Sequence, residues 1–135
     1  MRSRGIDGGA IAACIKRGDL YESANGRNCV FVGRDKSGVP RFACMRGAFG
    51  DFKQDAIGSD KRYGFVIPAG TPDSRGVCVT EAPVDALSAA TLIKTKSEPW
   101  EQYNYLSLGG TSPLAVIQFL KDHTEINHVF YNLIT

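Results

Sequence analysis

The sequence lacks a long hydrophobic run. None of its 135 residues belongs to an uninterrupted apolar stretch of the roughly 18 residues that a membrane-spanning helix requires. The N-terminal segment MRSRGIDGGAIAACIKRG contains arginines but not the apolar core of a secretory signal peptide. We therefore predict a cytoplasmic protein that has no membrane partner.

The sequence also lacks closely spaced cysteine pairs. Its four cysteines, Cys14, Cys29, Cys44 and Cys78, are scattered and form no C-x-x-C motif. Zinc ribbons and fingers depend on such pairs, because two neighbouring thiolates must bind one ion. A structural zinc site is therefore not expected, and we predict reduced cysteines in the protein interior.

Histidine is scarce, and no hydrolase triad can be assembled. The two histidines, His123 and His128, flank a predicted turn without an acid or nucleophile around them. Ser88 and Ser107 have no evident base partner. The sequence therefore does not favour nucleophilic hydrolysis through a serine.

Positive charge is in small excess and unevenly distributed. The net charge is +2, but residues 1–76 contain 13 Lys and Arg against 8 Asp and Glu, whereas residues 77–135 contain 3 against 6. A basic front half suits a phosphate backbone. The candidate nucleic-acid-binding residues, which are interleaved with aromatic residues, are Arg41, Arg46, Lys61 and Arg62, with Lys53 nearby. The alternative is a solvated hairpin face that covers an aromatic core.

The front half is predicted to be a small α+β unit. Asp7 is placed to cap a helix over 8–17 that has Ile11, Cys14 and Ile15 on one face and ends at Gly18. Strands over 28–35 and 39–47 flank the turn Asp35-Lys-Ser-Gly38 and predict a hairpin. Residues 47–59 are interpreted as irregular, and 61–68 as a third strand.

The back half changes pattern after a segment of glycine, proline and small polar residues, 69–76. We therefore predict two domains, residues 1–70 and 71–135. The predicted elements of the second are a strand (77–80), a helix (83–94), a strand (103–108), a helix (113–122) and a strand (128–134). This β-α-β-α-β order predicts an α/β fold with parallel strands and right-handed crossovers.

Two carboxylates and a glycine pair are predicted at the carboxyl ends of the parallel strands, where ligands of open α/β sheets bind. Glu81 ends the first strand, and Asp85 falls in the first turn of the helix that Pro83 opens. Gly109 and Gly110 follow the second strand, and the N–H groups of such a turn can bind a phosphate oxygen. Asp85 can equally be a helix-start residue, and the glycine pair an ordinary turn. Glu81 is harder to explain structurally, because burying a carboxylate costs free energy unless it has a partner.

These residues carry a resemblance to a known family. VCVTEAPVDALSAATL resembles the first motif of the Toprim domain of primases and topoisomerases, and LSLGGTSP resembles the glycine turn after its second strand. RGID, LYESANGRNCVFVGRDKSGVPRFACMRG and GSDKRYGF resemble the small domain of unknown function that precedes Toprim in primase-like proteins of plasmids and other mobile elements. Together these segments cover nearly the whole chain.

The resemblance implies Mg²⁺-dependent phosphoryl transfer. In that family the residue matching Glu81 is a general acid/base or a metal ligand, the position of Asp85 is mainly structural and only a weak ligand candidate, and Gly109 and Gly110 form the turn. An Asp-x-Asp pair after the third strand normally binds Mg²⁺, yet this sequence ends in LIT. Ala82 also replaces the usual glycine. The implied metal site is therefore incomplete and the domain is expected to be truncated.

Three functions remain open at this point. The first is a primase-like nucleic-acid-processing module of a mobile element, DNA being the expected partner, in which Glu81 acts if any catalysis survives. The second is a non-catalytic DNA-binding or assembly module that uses the Toprim half as a scaffold. The third is a small nucleotide- or phosphate-binding protein that uses the Gly109-Gly110 turn. An unfinished sheet edge would also favour self-association.

Overall fold

The computed structural model describes residues 6–24, 26–47, 52–71, 73–95, 99–110 and 112–131. In this part of the chain two four-stranded sheets and three α-helices form a mixed α/β fold, as predicted. The first sheet is antiparallel, and the second is partly parallel.

Helix α1 spans Gly8–Arg17, and both of its ends follow from the sequence. The Asp7 carboxylate accepts a hydrogen bond from the Ala10 N–H group, which would otherwise have no partner in the helix. Gly18 ends the helix with a φ of 78°. Ala10 and Cys14 are buried, whereas Ile15 is 55% exposed. The apolar face predicted for this helix is therefore buried at Cys14 but not at Ile15.

The first sheet has the strand order β1-β2-β3-β4. Asp35 and Gly38 shape the predicted hairpin turn: the Asp35 N–H group bonds the Val39 carbonyl, and Gly38 has a φ of 86°. The strands are β1 (Leu20–Glu22), β2 (Asn28–Arg34), β3 (Pro40–Gly47) and β4 (Lys53–Asp55). Strand β4 lies in the stretch predicted to be irregular, and this prediction is corrected. Its sequence KQD has no hydrophobic alternation, so the strand is defined by its pairing with β3.

The second sheet contains the predicted β-α-β-α-β unit. Its order is β5-β7-β6-β8, with β6 parallel to both β7 and β8 and β5 antiparallel to β7. Its elements are β5 (Val66–Ile67), β6 (Gly76–Thr80), α2 (Pro83–Thr95), β7 (Tyr103–Ser107), α3 (Leu114–Asp122) and β8 (His128–Tyr131). The predicted extension of the last strand to 134 lies outside the described residues.

The predicted strand over 61–68 is only partly correct. Its first residues form a turn that the Tyr63 N–H group closes by bonding the Asp60 carbonyl. Gly64 then packs directly on the end of β7, since a Cβ atom added there would lie 1.9 Å from the Ser107 carbonyl oxygen. Only Val66–Ile67 is a strand, and it belongs to the second sheet.

The two faces of the second sheet pack against different partners. Val77 and Val79 point to the side of α3, where they form a cluster with Phe119. Cys78 points to the opposite side, in agreement with the two-residue period of a strand. On that side the core combines residues of α1, the first sheet, α2 and the second sheet: Cys14, Phe31, Phe42, Leu87 and Tyr105 are among them.

This shared core spans both of the predicted domains, and their division after residue 70 stays a prediction.

The cysteines are free, with Cys14, Cys44 and Cys78 buried and Cys29 half-buried. Across the described ranges, no helix is long and apolar enough to cross a bilayer.

Candidate functional site

A cleft of about 420 Å³ lies at the carboxyl ends of β6 and β7, beside strands β3 and β4 of the first sheet. This is the edge at which the β-α-β topology brings loops from neighbouring parallel strands together. The residues that line the cleft are Cys44, Arg46, Lys53, Gln54, Asp55, Glu81, Ala82, Pro83, Gly109 and Gly110. Both halves of the chain therefore contribute to one concave surface.

Glu81 is the first residue after β6, and its side chain is exposed at this cleft. Its carbonyl oxygen accepts hydrogen bonds from the Gly110 N–H group (3.1 Å) and from the Ser107 hydroxyl group (3.5 Å). These contacts fix the main chain of Glu81 against the end of β7. The side chain reaches solvent, so the cost of a buried carboxylate does not explain this residue.

Asp85 lies in the first turn of α2 and is half-buried. Burial raises the pKa of its carboxyl group, and Glu81 nearby acts in the same direction. The carboxylate accepts a hydrogen bond from the Ala82 N–H group, and this bond and the Arg46 charge oppose the rise. Binding a main-chain N–H group at the start of its own helix is a capping arrangement, which favours the structural interpretation of Asp85.

The glycine turn is folded inward on its own chain. Gly109 and Gly110 have φ values of 69° and 152°, which favours glycine at both positions. The Gly109 N–H group bonds the Ser107 hydroxyl oxygen (3.3 Å), and the Gly110 N–H group bonds the Glu81 carbonyl. Both N–H groups are thus committed to oxygen atoms of the protein. The predicted exposure of these N–H groups is therefore wrong. Phosphate binding by the turn stays a prediction.

The four candidate basic residues separate into two pairs. Arg46 on β3 lines the cleft, and Lys61 bonds the Gly109 carbonyl (2.9 Å) at its border. Arg41 instead pairs with Asp35 (2.8 Å), and Arg62 pairs with Asp60 (2.7 Å). Arg41 and Arg62 do not line the cleft. The structure therefore brings Arg46 and Lys61 close to Glu81, but not Arg41 or Arg62.

Strand β4 contributes cleft residues that the sequence analysis did not select. Lys53 lies directly opposite Arg46 in the antiparallel pair, and Asp55 lies opposite Cys44. In the sequence Lys53 is only a neighbour of the candidate basic residues, and Gln54 and Asp55 fall in the segment predicted to be irregular. The one available signal was the run of three polar residues after a predicted strand, which does not by itself indicate a strand.

Cys44 lines the cleft but is not suited to nucleophilic chemistry. Burial raises the pKa of its thiol to about 11. The thiol is therefore protonated near neutral pH, and only a thiolate is strongly nucleophilic.

The described residues do not fit a complete Mg²⁺ site. No three His, Cys, Asp or Glu side chains in the described ranges are grouped closely enough to bind a metal ion. Glu81 and Asp55 are the carboxylates that line the cleft, and Asp55 is paired with Lys61. Mg²⁺ requires six ligands, and so few carboxylates leave most of them to water, to substrate or to other residues.

Comparisons with known families and structures agree with this architecture. The family described as "Protein of unknown function (DUF3991)" matches residues 1–72, and the family described as "Toprim-like" matches residues 78–132. No curated protein matches the chain.

Solved structures of similar fold include three primase structures. The primase fragment of the bacteriophage T7 primase-helicase is 16% identical with a TM-score of 0.62, covering 99% of this chain and 54% of that one. A DnaG primase catalytic domain bound to ssDNA is 17% identical with a TM-score of 0.57. The match covers 96% of this chain and 53% of that chain. A bacteriophage T7 assembly, in which lagging-strand DNA polymerase interacts with primase domains bound to an RNA/DNA hybrid and dTTP, is 17% identical with a TM-score of 0.58, covering 99% and 66%.

The chain spans about half to two thirds of the length of these structures. At such low identity the likeness establishes the fold, which is that of primase Toprim cores. The chain belongs to the DUF3991 family of proteins of unknown function, and in it a Toprim-like domain follows the DUF3991 region.

Proposed function

We propose that this chain is a primase-like nucleic-acid-processing module whose cleft binds phosphate groups of DNA beside Glu81. The observation that carries the proposal is the composition of the cleft. Arg46 and Lys53 lie opposite each other on β3 and β4, and both line the cavity that also contains Glu81. Of the two carboxylates that line the cavity, Asp55 is paired with Lys61, which leaves Glu81 beside the two cations. Such a concave surface suits a phosphate backbone with a reacting group next to it.

The Arg46–Lys53 pair places two like charges together, although the Arg46 charge also acts on Asp85. Like charges directly opposite each other in an antiparallel pair are destabilising. Within the described ranges, neither side chain forms a salt bridge with a carboxylate. A bound phosphate would remove the repulsion, because each cation would then have an anionic partner.

Glu81 is the candidate catalytic residue within this proposal. Its place at the end of a parallel strand, exposed in the cleft, supports a role as general base or metal ligand. Mg²⁺, if bound, would supply stabilisation of charge on the phosphate. The described carboxylates are too few for a dedicated ion site, and we assign Asp85 to the start of α2.

The known structures support nucleic acid as the partner only by likeness of fold. One neighbour is a DnaG catalytic domain bound to ssDNA, and another contains primase domains bound to an RNA/DNA hybrid. We extend this to DNA for the present chain, and to replication or mobilisation of plasmids and other mobile elements as its setting.

A primer-synthesis and nicking assay on single-stranded DNA, with and without Mg²⁺, tests the enzymatic form of the proposal. We expect Mg²⁺-dependent product in the wild type and none with Glu81→Gln, which retains the size of the side chain but not its charge. The matched control is Glu101→Gln, an exposed residue of the short helix Trp100–Gln102. Product that survives Glu81→Gln would exclude Glu81 as the catalytic residue.

A non-catalytic DNA-binding module is the second candidate. It is favoured because the acidic residues near Glu81 already have protein partners. Asp55 is paired with Lys61, and Asp85 accepts a hydrogen bond at the start of its own helix. Salt-sensitive DNA binding that is unaffected by Mg²⁺ and by Glu81→Gln would support this candidate. Absence of DNA binding at low salt would contradict both.

We further propose self-association through strand β8. Within the described residues β8 pairs with β6 on one side only, and Val129 and Tyr131 are 36% and 60% exposed. An exposed edge strand with apolar side chains favours pairing with another chain. A single monomeric species in gel filtration at high protein concentration would contradict this.

A further inference from the structure

Lys61 bridges the two sides of the cleft. Its ammonium group donates a hydrogen bond to the Gly109 carbonyl oxygen (2.9 Å) and forms an ion pair with the Asp55 carboxylate. Asp55 belongs to β4 in the first sheet, whereas Gly109 follows β7 in the second. One side chain therefore connects the two sheets at the border of the cleft.

The glycine turn is also packed against the first sheet beside Lys61. A Cβ atom added to Gly109 would lie 3.0 Å from the ring of Phe42, which is buried. The Lys61 ammonium group lies 5.4 Å from the centre of the same ring, within the range of a cation–π contact. Phe42 and Lys61, which contact each other, thus both border the turn at Gly109.

The glycine turn also contacts the main chain of Glu81. The Gly110 N–H group bonds the Glu81 carbonyl oxygen (3.1 Å), and the Ser107 hydroxyl group links the same carbonyl to the Gly109 N–H group. A continuous path of contacts therefore runs from Asp55 through Lys61 and the glycine turn to the main chain of Glu81.

We infer that Lys61 is a positioning residue, which holds the glycine turn and hence Glu81 at a fixed place relative to β4. This role is separate from the nucleic-acid contact predicted for Lys61, which stays a prediction; two N–H groups of the ammonium are engaged by protein oxygen atoms. The inference rests on the proposed function only for the importance of Glu81, and its test requires neither metal nor nucleic acid.

Amide hydrogen exchange of the wild-type chain and its variants, followed by NMR, tests the inference. The reporter is the Gly110 amide, and the reference is the Val32 amide, which bonds the Asp19 carbonyl at a distance from the cleft. Lys61→Met should accelerate exchange of Gly110 about tenfold relative to Val32, since it removes a charged hydrogen bond from the turn. Lys61→Arg, which can donate to both oxygen atoms, should restore most of the protection.

Arg62→Met is the matched control, because Arg62 is adjacent in sequence but its guanidinium group pairs with Asp60 and lies over the Tyr63 ring. It should leave the exchange ratio of Gly110 to Val32 unchanged. Asp55→Asn, which keeps Lys61 but weakens its ion pair, should accelerate Gly110 by a smaller factor than Lys61→Met.

Two results would overturn the inference: an unchanged Gly110 amide in Lys61→Met, or equal acceleration of Gly110 and Val32, which would indicate loss of overall stability only. Neither result concerns DNA binding. Failure of the positioning role would therefore leave the proposed function standing, and absence of DNA binding would leave the positioning role standing.

Discussion

Arg46 and Lys53 lie directly opposite each other on adjacent antiparallel strands, and both line the cleft that contains Glu81. Two cations at opposed positions repel each other, which destabilises the folded chain in the absence of a ligand. The same arrangement strengthens the attraction for an anion, because the fields of the two charges add in the cleft. Stability and binding should therefore respond to mutation of this pair in opposite directions.

Lys53→Gln is expected to weaken binding of single-stranded DNA without reducing stability. Loss of one phosphate contact should lower the slope of log affinity against log salt by about 0.7. Relief of repulsion should leave the free energy of unfolding unchanged or raise it by roughly 0.2 kcal/mol, the lower end for cross-strand pairs, because Lys53 is exposed. Salt-dependent binding titrations and urea denaturation measure the two effects.

Lys36→Gln is the control for this experiment. Lys36 is an exposed cation of the hairpin turn and does not line the cleft, so its loss should leave the salt slope nearly unchanged. Equal loss of affinity in both variants would mean that DNA responds only to total charge. That outcome would count against a site at the cleft.

Neutralising Arg41 and Arg62 together should have little effect on DNA binding. Each guanidinium group is paired with a carboxylate at 2.7–2.8 Å, Arg41 with Asp35 and Arg62 with Asp60. A phosphate would have to displace that partner, so little net attraction is expected from either residue. The comparison is a double variant of the cleft cations, Arg46→Gln with Lys53→Gln. If the double variant Arg41→Gln with Arg62→Gln binds DNA as weakly as this one, Arg41 and Arg62 do contribute to DNA binding.

The order of the secondary structure elements followed from local signals in the sequence. Asp7 and Gly18 define α1, and Asp35 with Gly38 defines the hairpin, because capping and turn chemistry act over only a few residues. Strand β4 could not be predicted, since KQD becomes a strand only by pairing with β3. The same applies to β5, whose two residues depend on β7.

The cleft was predictable only in part. Glu81 and Gly109 follow successive parallel strands, and topology alone brings such positions to one edge of a sheet. Lys53 and Asp55 reach the cleft through the packing of one sheet against another, which no local pattern encodes. The ion pairs of Arg41 and Arg62 with aspartates could not be predicted from the sequence either, because ion pairs depend on the final positions of side chains.

The pH dependence of stability should reveal the burial of Asp85. Burial raises the pKa of its carboxyl group above the ordinary value of 3.8. The unfolded chain then releases this proton first, so the contribution of Asp85 to stability falls as the pH rises above about 3.8. Asp85→Asn, which can still accept the Ala82 N–H bond, should therefore gain stability relative to the wild type between pH 4 and 7.

Asp60→Asn provides a control of opposite sign. The hydrogen bond from Arg62 lowers the pKa of the Asp60 carboxyl group. Its contribution to stability is therefore present above about pH 3.8 and is lost as the pH falls. Asp60→Asn should lose stability relative to the wild type near neutral pH and approach it in acid. Thermal unfolding at a series of pH values measures both variants, and parallel curves for the two would contradict the assignment.

The cleft cysteine should be inert at neutral pH and sensitive to alkali. Burial raises the pKa of Cys44 and that of Cys78 from 9.0 to about 11. Both should react with iodoacetamide at pH 7.5 more slowly than the half-buried Cys29, as read by peptide mass spectrometry. Stability should also fall between pH 9 and 11, where the unfolded thiols ionise first. If a Cys44→Ala variant loses as much stability between pH 9 and 11 as the wild type does, Cys44 does not contribute to the alkaline loss of stability.

Gly64→Ala should be the most damaging glycine substitution at the junction of the two sheets. A Cβ atom at Gly64 would lie 1.9 Å from the carbonyl oxygen of Ser107, and that residue also bonds the main chain of Glu81. Main-chain atoms cannot move away as a flexible side chain can, so we expect loss of several kcal/mol, on the order of 3 or more. Gly38→Ala is the comparison, since nothing lies within 4 Å of its added Cβ. Its cost should be only the roughly 1 kcal/mol of a positive φ. Urea denaturation of both variants gives the difference, and a Gly64→Ala protein as stable as Gly38→Ala would contradict the close packing of Gly64 on β7.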